Sequence, residues 1–230
     1  MEIPYGLGRI EALDERDYNY LVRSAFASPP RPRERRLWWA DGWWGDQGRT
    51  SACVAFAWTH WLEDGPIGQP NITIDPLWLY REAQRVDEIP GEEPQVKGTT
   101  VRAGAKVLVR LGLVKSYHWA FRIEDVIHAV LYLGPVVAGT RWFMSMFEPD
   151  RRGWLRVRED RVRHQHMGHA YVINGVDVKE GWFRIKNSWG RRWGVGGHAY
   201  IAIEDFERLL SLGGEVCIAS EQQAPPKPRD

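Results

Sequence analysis

The segment Asp46-Gln47-Gly48-Arg49-Thr50-Ser51-Ala52-Cys53-Val54-Ala55-Phe56 holds one of the two cysteines of the chain. Val54, Ala55, Trp58, Trp61 and Leu62 recur at helical spacing, which predicts a helix over Ser51 to Asp64 that Gly65-Pro66 ends. Thr50 or Ser51 can cap it, so Cys53 falls in the first turn. A thiol there feels unpaired N–H groups and the positive end of the helix dipole, and both favour thiolate. A lone cysteine on an amphipathic helix is nonetheless more often packing than chemistry. Partners shift that balance. His169 heads a predicted strand in Gly168-His169-Ala170, and Asn187 follows the next one in Lys186-Asn187-Ser188-Trp189-Gly190. A nucleophile needs a base, and the base needs a third group to fix its tautomer and orientation. On adjacent strands, His169 and Asn187 can sit side by side and face a helix N-terminus.

The elements that must position these residues change character along the chain. A second helix is predicted from Asp75-Pro76 to about Val86, a third from Thr100 to Gly112, and a fourth over Ile123 to Leu133 before Gly134-Pro135. Beyond that point 136–139, 170–176, 182–186, 199–203 and 216–219 read as short strands rich in β-branched and aromatic residues. Helices first and strands after, without βαβ alternation, indicate an α+β fold. The expected organisation is a single catalytic domain over 1–220. It comprises an irregular N-terminal segment to about 46 that wraps a lobe, a mainly helical lobe over 47–133 and a mainly β lobe over 134–220. A proline-rich tail at 221–230 is expected to be disordered.

With 230 residues, 43% of them hydrophobic and 27% charged, the chain can bury a core without disulfides. Its 31 basic and 30 acidic residues cancel almost completely, so there is no global field for nucleic acid. No run of 18 apolar residues suggests a membrane span. Two cysteines and an N-terminus without a signal pattern are expected of a monomer in the cytoplasm with both thiols free. Cys217, in an apolar strand, reads as a buried inert thiol. The 13 tryptophans are expected mainly in the core and at the lobe interface. The Arg-rich stretch 31–36 lacks interleaved aromatics and reads as a solvated loop. His164, His166 and His169 lack a fourth ligand at a recognisable spacing, so no metal site is expected.

Taken together, these segments resemble the papain-like cysteine peptidases. Gln47, Gly48, Cys53, Ala55 and Phe56 match that family's nucleophile segment position by position. Asn187-Ser188-Trp189-Gly190-Arg191-Arg192-Trp193-Gly194 reproduces its orienting segment, and His169-Ala170 with Gly175 its base segment. Gly134-Pro135-Val136 is shared too, and Asp14 to Asp17, Leu79-Tyr80 and Trp119-Ala120-Phe121 lean to the bacterial and phage branch. The resemblance implies two lobes, helical and antiparallel β-barrel-like, with the site in the cleft between them. It implies Cys53 as a thiolate nucleophile paired with the imidazolium of His169, Asn187 as orienter shielded by Trp189, and Gln47 with the Cys53 N–H as oxyanion hole. It further implies Met167, Gly168 and Trp189 beside a peptide or protein substrate, and no cofactor. Thr50 stands where the family has a disulfide cysteine, and residues 1–46 look too short for its helical pro-segment. Control by another route is expected; the alternative is that the N-terminal segment itself covers the cleft. Two rival functions share these residues: a Cys/His amidase or transferase acting on a cell-wall or conjugate amide, and a binding module without turnover.

Overall fold

A computed structural model of the chain describes residues 3–12, 14–22, 32–38, 43–64, 74–159 and 168–221. The expectations for Met167, His164, His166 and residues 222–230 lie outside these. Among the described residues five α-helices and one antiparallel sheet make up three layers. Helix α1 (Cys53–Asp64) is buried at every position but Glu63. Helix α2 (Pro76–Gln84) is capped by the Asp75 carboxylate and opened by Pro76, and α3 (Val101–Arg110) by the Thr100 hydroxyl, as their sequences require. Helix α4 (Ile123–Tyr132) begins with Glu124 and Asp125 in its first turn, where the helix dipole favours negative charge.

The sheet contains β1 (Arg35–Leu37), β2 (Val114–Ala120), β3 (Val136–Arg141), β4 (Gly168–Asp177), β5 (Trp182–Lys186), β6 (His198–Ala202) and β7 (Glu215–Glu221). Their order is β2-β7-β3-β4-β5-β6, with β1 against the end of β4. The sheet is barrel-like only in a loose sense, since it is not closed, and β2 and β6 are its edges. Three elements depart from the sequence reading. Strand β2, in the half read as helical, is half-exposed and carries Lys115, Ser116 and His118, so it lacks an apolar run. Strand β1 is three residues long and mostly exposed. Helix α5 (Ile203–Ser211) carries Glu204, Glu207 and Arg208 outward and only Phe206, Leu209 and Leu210 inward, a pattern overlooked beside the preceding strand.

Alternation along the strands divides the interior in two. Val136 and Ala138 of β3, Tyr171 and Ile173 of β4, and Val216 and Ile218 of β7 pack with α4 and α5. Val137, Ala170, Val172 and Cys217 point the opposite way and pack with α1, α2 and α3. A buried ion pair between Lys186 on β5 and Asp64 at the end of α1 joins helix to sheet, and Lys186 also donates to the Trp43 carbonyl at 3.0 Å.

Candidate active site

Gln47 enters through a tight turn. The Asp46 carboxylate accepts from Gly48 N–H at 2.9 Å, Gly48 takes a φ of +55°, and the Gln47 carbonyl accepts from both Thr50 N–H and the Thr50 hydroxyl. The hydroxyl bond, 2.8 Å, lets Thr50 brace this loop without a disulfide; both cysteines are free and buried. Helix α1 then opens at Cys53, two residues later than the spacing suggests, because Ser51 and Ala52 are packed beneath an extended segment described below. Cys53 is therefore the first helical residue, with its side chain fully buried.

Across from it, β4 and the chain after β5 bring His169 and Asn187 together. The Nε2–H of His169 donates to Asn187 Oδ1 at 2.7 Å, and that oxygen also accepts from Ser188 N–H at 2.8 Å. This fixes the tautomer: Nδ1 carries the lone pair and has no hydrogen-bond partner among the described residues. Trp189 stacks on the imidazole with centroids 4.6 Å apart, and Trp142 meets its edge at 4.8 Å. Both tryptophans are buried, so the His169–Asn187 bond lies out of water. Gln47 is tied to the same region: its backbone N–H donates to the Ser188 carbonyl at 2.8 Å and its Oε1 accepts from the Ser188 hydroxyl at 2.6 Å.

On the sulfur side, the backbone N–H groups of Ala170 and Gly8 point at Cys53. Ala170 ties the thiol to the residue after His169. Gly8 belongs to an N-terminal strand that runs through the cleft. Gly6 N–H donates to the Gly48 carbonyl, Gly8 and Arg9 N–H both donate to the Gly168 carbonyl at 3.1 and 3.0 Å, and Thr99 brackets Arg9 with two further backbone bonds. Gly6 and Gly8 permit this approach: a Cβ at either would lie 2.0 Å or less from the carbonyl oxygen of Thr50 or Ser51. Tyr5 stacks on Trp189 at 4.5 Å. The Gln47 side-chain amide donates to two carbonyls, those of Thr50 at 2.9 Å and Gly6 at 3.1 Å. The N-terminal segment thus covers the cleft, the option set second in the sequence reading, and the wrapping segment enters the site itself.

This occupancy sets the charge state. Burial pushes the Cys53 thiol up to about 11, against the N–H groups that hold it down. Burial likewise drives His169 down to about 4, while its bond to Asn187 opposes the shift. With the strand in place, burial favours a neutral thiol and a neutral imidazole over the implied thiolate–imidazolium pair. The Gly168 carbonyl holds this segment, and no Cβ would fit at Gly168: it would lie 2.0 Å from the Arg9 carbonyl oxygen. Among the described residues no group of three or more His, Cys, Asp or Glu could hold a metal ion, and no helix is long and apolar enough to cross a membrane. The pairing of Arg9 with Glu215 escaped the sequence reading, since no motif links residues 206 positions apart.

Comparison with known proteins gives these residues a context. Residues 97–222 match the family model described as papain family cysteine protease. A peptidase C1-like protein of Acanthamoeba polyphaga mimivirus is 24% identical over 70% of this chain, and the match spans 66% of the viral protein's length. Among solved structures, xylellain, a cysteine protease from Xylella fastidiosa, superposes with a TM-score of 0.76 at 16% identity, covering 96% of this chain and 98% of its own. Procathepsin L2 from the larval midgut of Tenebrio molitor gives 0.63 at 18% identity, over 94% and 78%. Bromelain from Ananas comosus gives 0.59 at 14%, over 82% and 99%.

Proposed function

Because the chain belongs to the papain family of cysteine proteases, we propose that it is a cysteine endopeptidase that works through a thioester acyl-enzyme. Cys53 is the nucleophile, His169 the base and acid, Asn187 the orienter and Gln47 an oxyanion donor. The observation that carries the reading is the His169–Asn187 bond of 2.7 Å, which leaves Nδ1 as the basic nitrogen on a residue whose neighbour, Ala170, shares a buried cluster with Cys53 at the start of α1. A second supports it: Gln47 Nε2 already holds a peptide carbonyl, that of Gly6, where a substrate carbonyl must be polarised.

In this mechanism residues 5–10 first leave the cleft, and re-exposure to water and to one another lets the Cys53 proton pass to His169 Nδ1. The sulfur attacks the carbonyl carbon, and the oxyanion accepts from the Cys53 N–H and Gln47 Nε2. Collapse breaks the C–N bond, and His169 returns its proton to the departing amine. Water, losing a proton to His169, then attacks the thioester; the acid leaves and the thiol re-forms. Losing one oxyanion donor costs about 2.7–4 kcal/mol of transition-state stabilisation.

The test is a fluorogenic peptide library assayed with the full chain and with Cys53→Ala, whose fold is checked by circular dichroism. Turnover by the first and none by the second is expected. Retained turnover in Cys53→Ala removes the nucleophile assignment. Peptide binding without turnover by either would favour the binding-module reading.

A further inference from the structure

Arg9 is 5% exposed although its neighbours Ile10 and Glu11 reach towards solvent. Its guanidinium lies against Gly139 beside Val101, a residue of the same buried cluster as Cys53. Glu215, the first residue of β7, forms the floor of the pocket that holds it. Arg9 Nε and Nη2 both reach Glu215 Oε1, at 3.0 and 2.9 Å, and Nη2 also donates to the Gly213 carbonyl at 2.8 Å. Gly139, opposite Glu215 in the β3–β7 register, makes the room: a Cβ there would lie 2.8 Å from Val101 Cγ2 and 3.0 Å from Arg9 Nε. The pocket is thus shaped by an absent side chain and charged by a buried carboxylate.

Among the described residues that carboxylate has no other hydrogen-bonded cation. Arg102, which also acts on it, is engaged by Asp17, by the carbonyl of Ala12 and at longer range by Asp14. Burial pushes the Glu215 carboxyl up and Arg9 pulls it back. When residues 5–10 leave the cleft, Arg9 leaves with them, and a desolvated carboxylate remains on the floor of the pocket it vacates. A buried charge without a partner is costly, so the pocket favours whatever restores the pair. A guanidinium does so with two donors on one carboxylate oxygen and a third on a carbonyl; an ammonium offers a single point charge to the same site.

We infer that the pocket now filled by Arg9, floored by Glu215 and opened by Gly139, is a recognition pocket for an arginine side chain of the peptide substrate. The inference rests on the peptidase reading for the word substrate, and its test separates the two. The full chain carrying Gly8→Ala and Arg9→Ala has its strand displaced by the added Cβ and the pocket emptied. Fluorescein-labelled Tyr-Gly-Leu-Gly-Arg-Ile-Glu and the same peptide with leucine for arginine are titrated into it by anisotropy. The arginine peptide should bind at least tenfold more tightly, and adding Glu215→Gln should erase the difference. Equal affinities, or no binding of the arginine peptide, overturn the inference. In parallel, paired fluorogenic substrates differing only in arginine or leucine should be cleaved with a kcat/KM ratio of at least ten, a ratio that falls in Glu215→Gln. Arginine-selective binding without any turnover would leave the pocket standing and sink the peptidase reading; turnover indifferent to arginine would do the reverse. Melting curves on each variant establish that it folds.

Discussion

In the proposed mechanism Asn187 touches the chemistry only through His169, which makes it the sharpest probe at the scale of single residues. Its Oδ1 holds the imidazole by Nε2 and leaves Nδ1 without a hydrogen-bond partner among the described residues. Asn187→Ala frees the ring to turn and to exchange tautomers, so kcat is expected to fall on the order of 10²-fold or more. KM should move little, because no substrate contact is removed. A matched fall in binding with unchanged kcat would contradict the orienting role. Thr50 makes a humbler contribution. Thr50→Val removes the hydroxyl bond to the Gln47 carbonyl and should cost about 1 kcal/mol in denaturant titration; no loss would mean that the loop is held by its other bonds. At this scale Cys53, His169, Asn187 and Gln47 were legible because each sits in a contiguous string whose residue types do chemistry together. Arg9 and Glu215 were not, since a lone arginine and a lone glutamate carry no sign of each other until β7 returns to β3 and puts a carboxylate under the N-terminal strand.

Among the elements, α1 and the N-terminal strand carry the tension between order and access. Lys186 and Asp64 fasten the end of α1 to β5 with both side chains fully buried. Asp64→Asn leaves the Lys186 charge under-compensated and should cost about 3–5 kcal/mol, whereas a paired Asp64→Leu with Lys186→Met should recover most of it. A double variant as unstable as the single one would show that packing, not charge, sets the loss. Gly8→Ala acts on the opposite element. Its Cβ would lie 1.9 Å from the Ser51 carbonyl oxygen, so the strand must lift. At pH 6 iodoacetamide should then label Cys53 several-fold faster than in the unaltered chain, with Cys217 slow in both, because lifting removes the burial that holds the thiol protonated. Identical labelling rates would mean that the strand does not govern access. Helices α2 and α3 were readable to within two or three residues from their caps, Asp75-Pro76 and Thr100. Strand β2 was not, because an edge strand with one wet face lacks the apolar run by which β3 and β4 declare themselves.

For the molecule as a whole, acid is the expected weak point. Burial holds His169 at about 4 and His198 at about 3, the latter helped by Arg184, Lys186 and Arg191, and places His60 well below the ordinary range. Their unfolded values lie near 6.5. Between those limits the unfolded chain binds more protons than the folded one, so stability rises with pH and is lost as pH falls from about 6.5 towards 4. The melting temperature should drop across that window, and His198→Gln should flatten the slope; a profile unchanged by that substitution would remove His198 from the account. The α+β class followed from helices preceding strands, but the open edge of the sheet did not, because closure depends on which strands meet and no single strand records it.

The alternation of β4 has one last consequence. Tyr171 and Ile173 belong to the interior backed by α4 and α5, while Ala170 and Val172 belong to the one backed by α1. A slip of one position in the pairing of β3 with β4 would hand every such side chain to the wrong compartment, expel a tyrosine towards the helix that carries the thiol, and turn the imidazole from its carboxamide. Catalytic competence and correct folding are therefore checked by the same count along a single strand, and a misregistered chain would be inert as well as unstable.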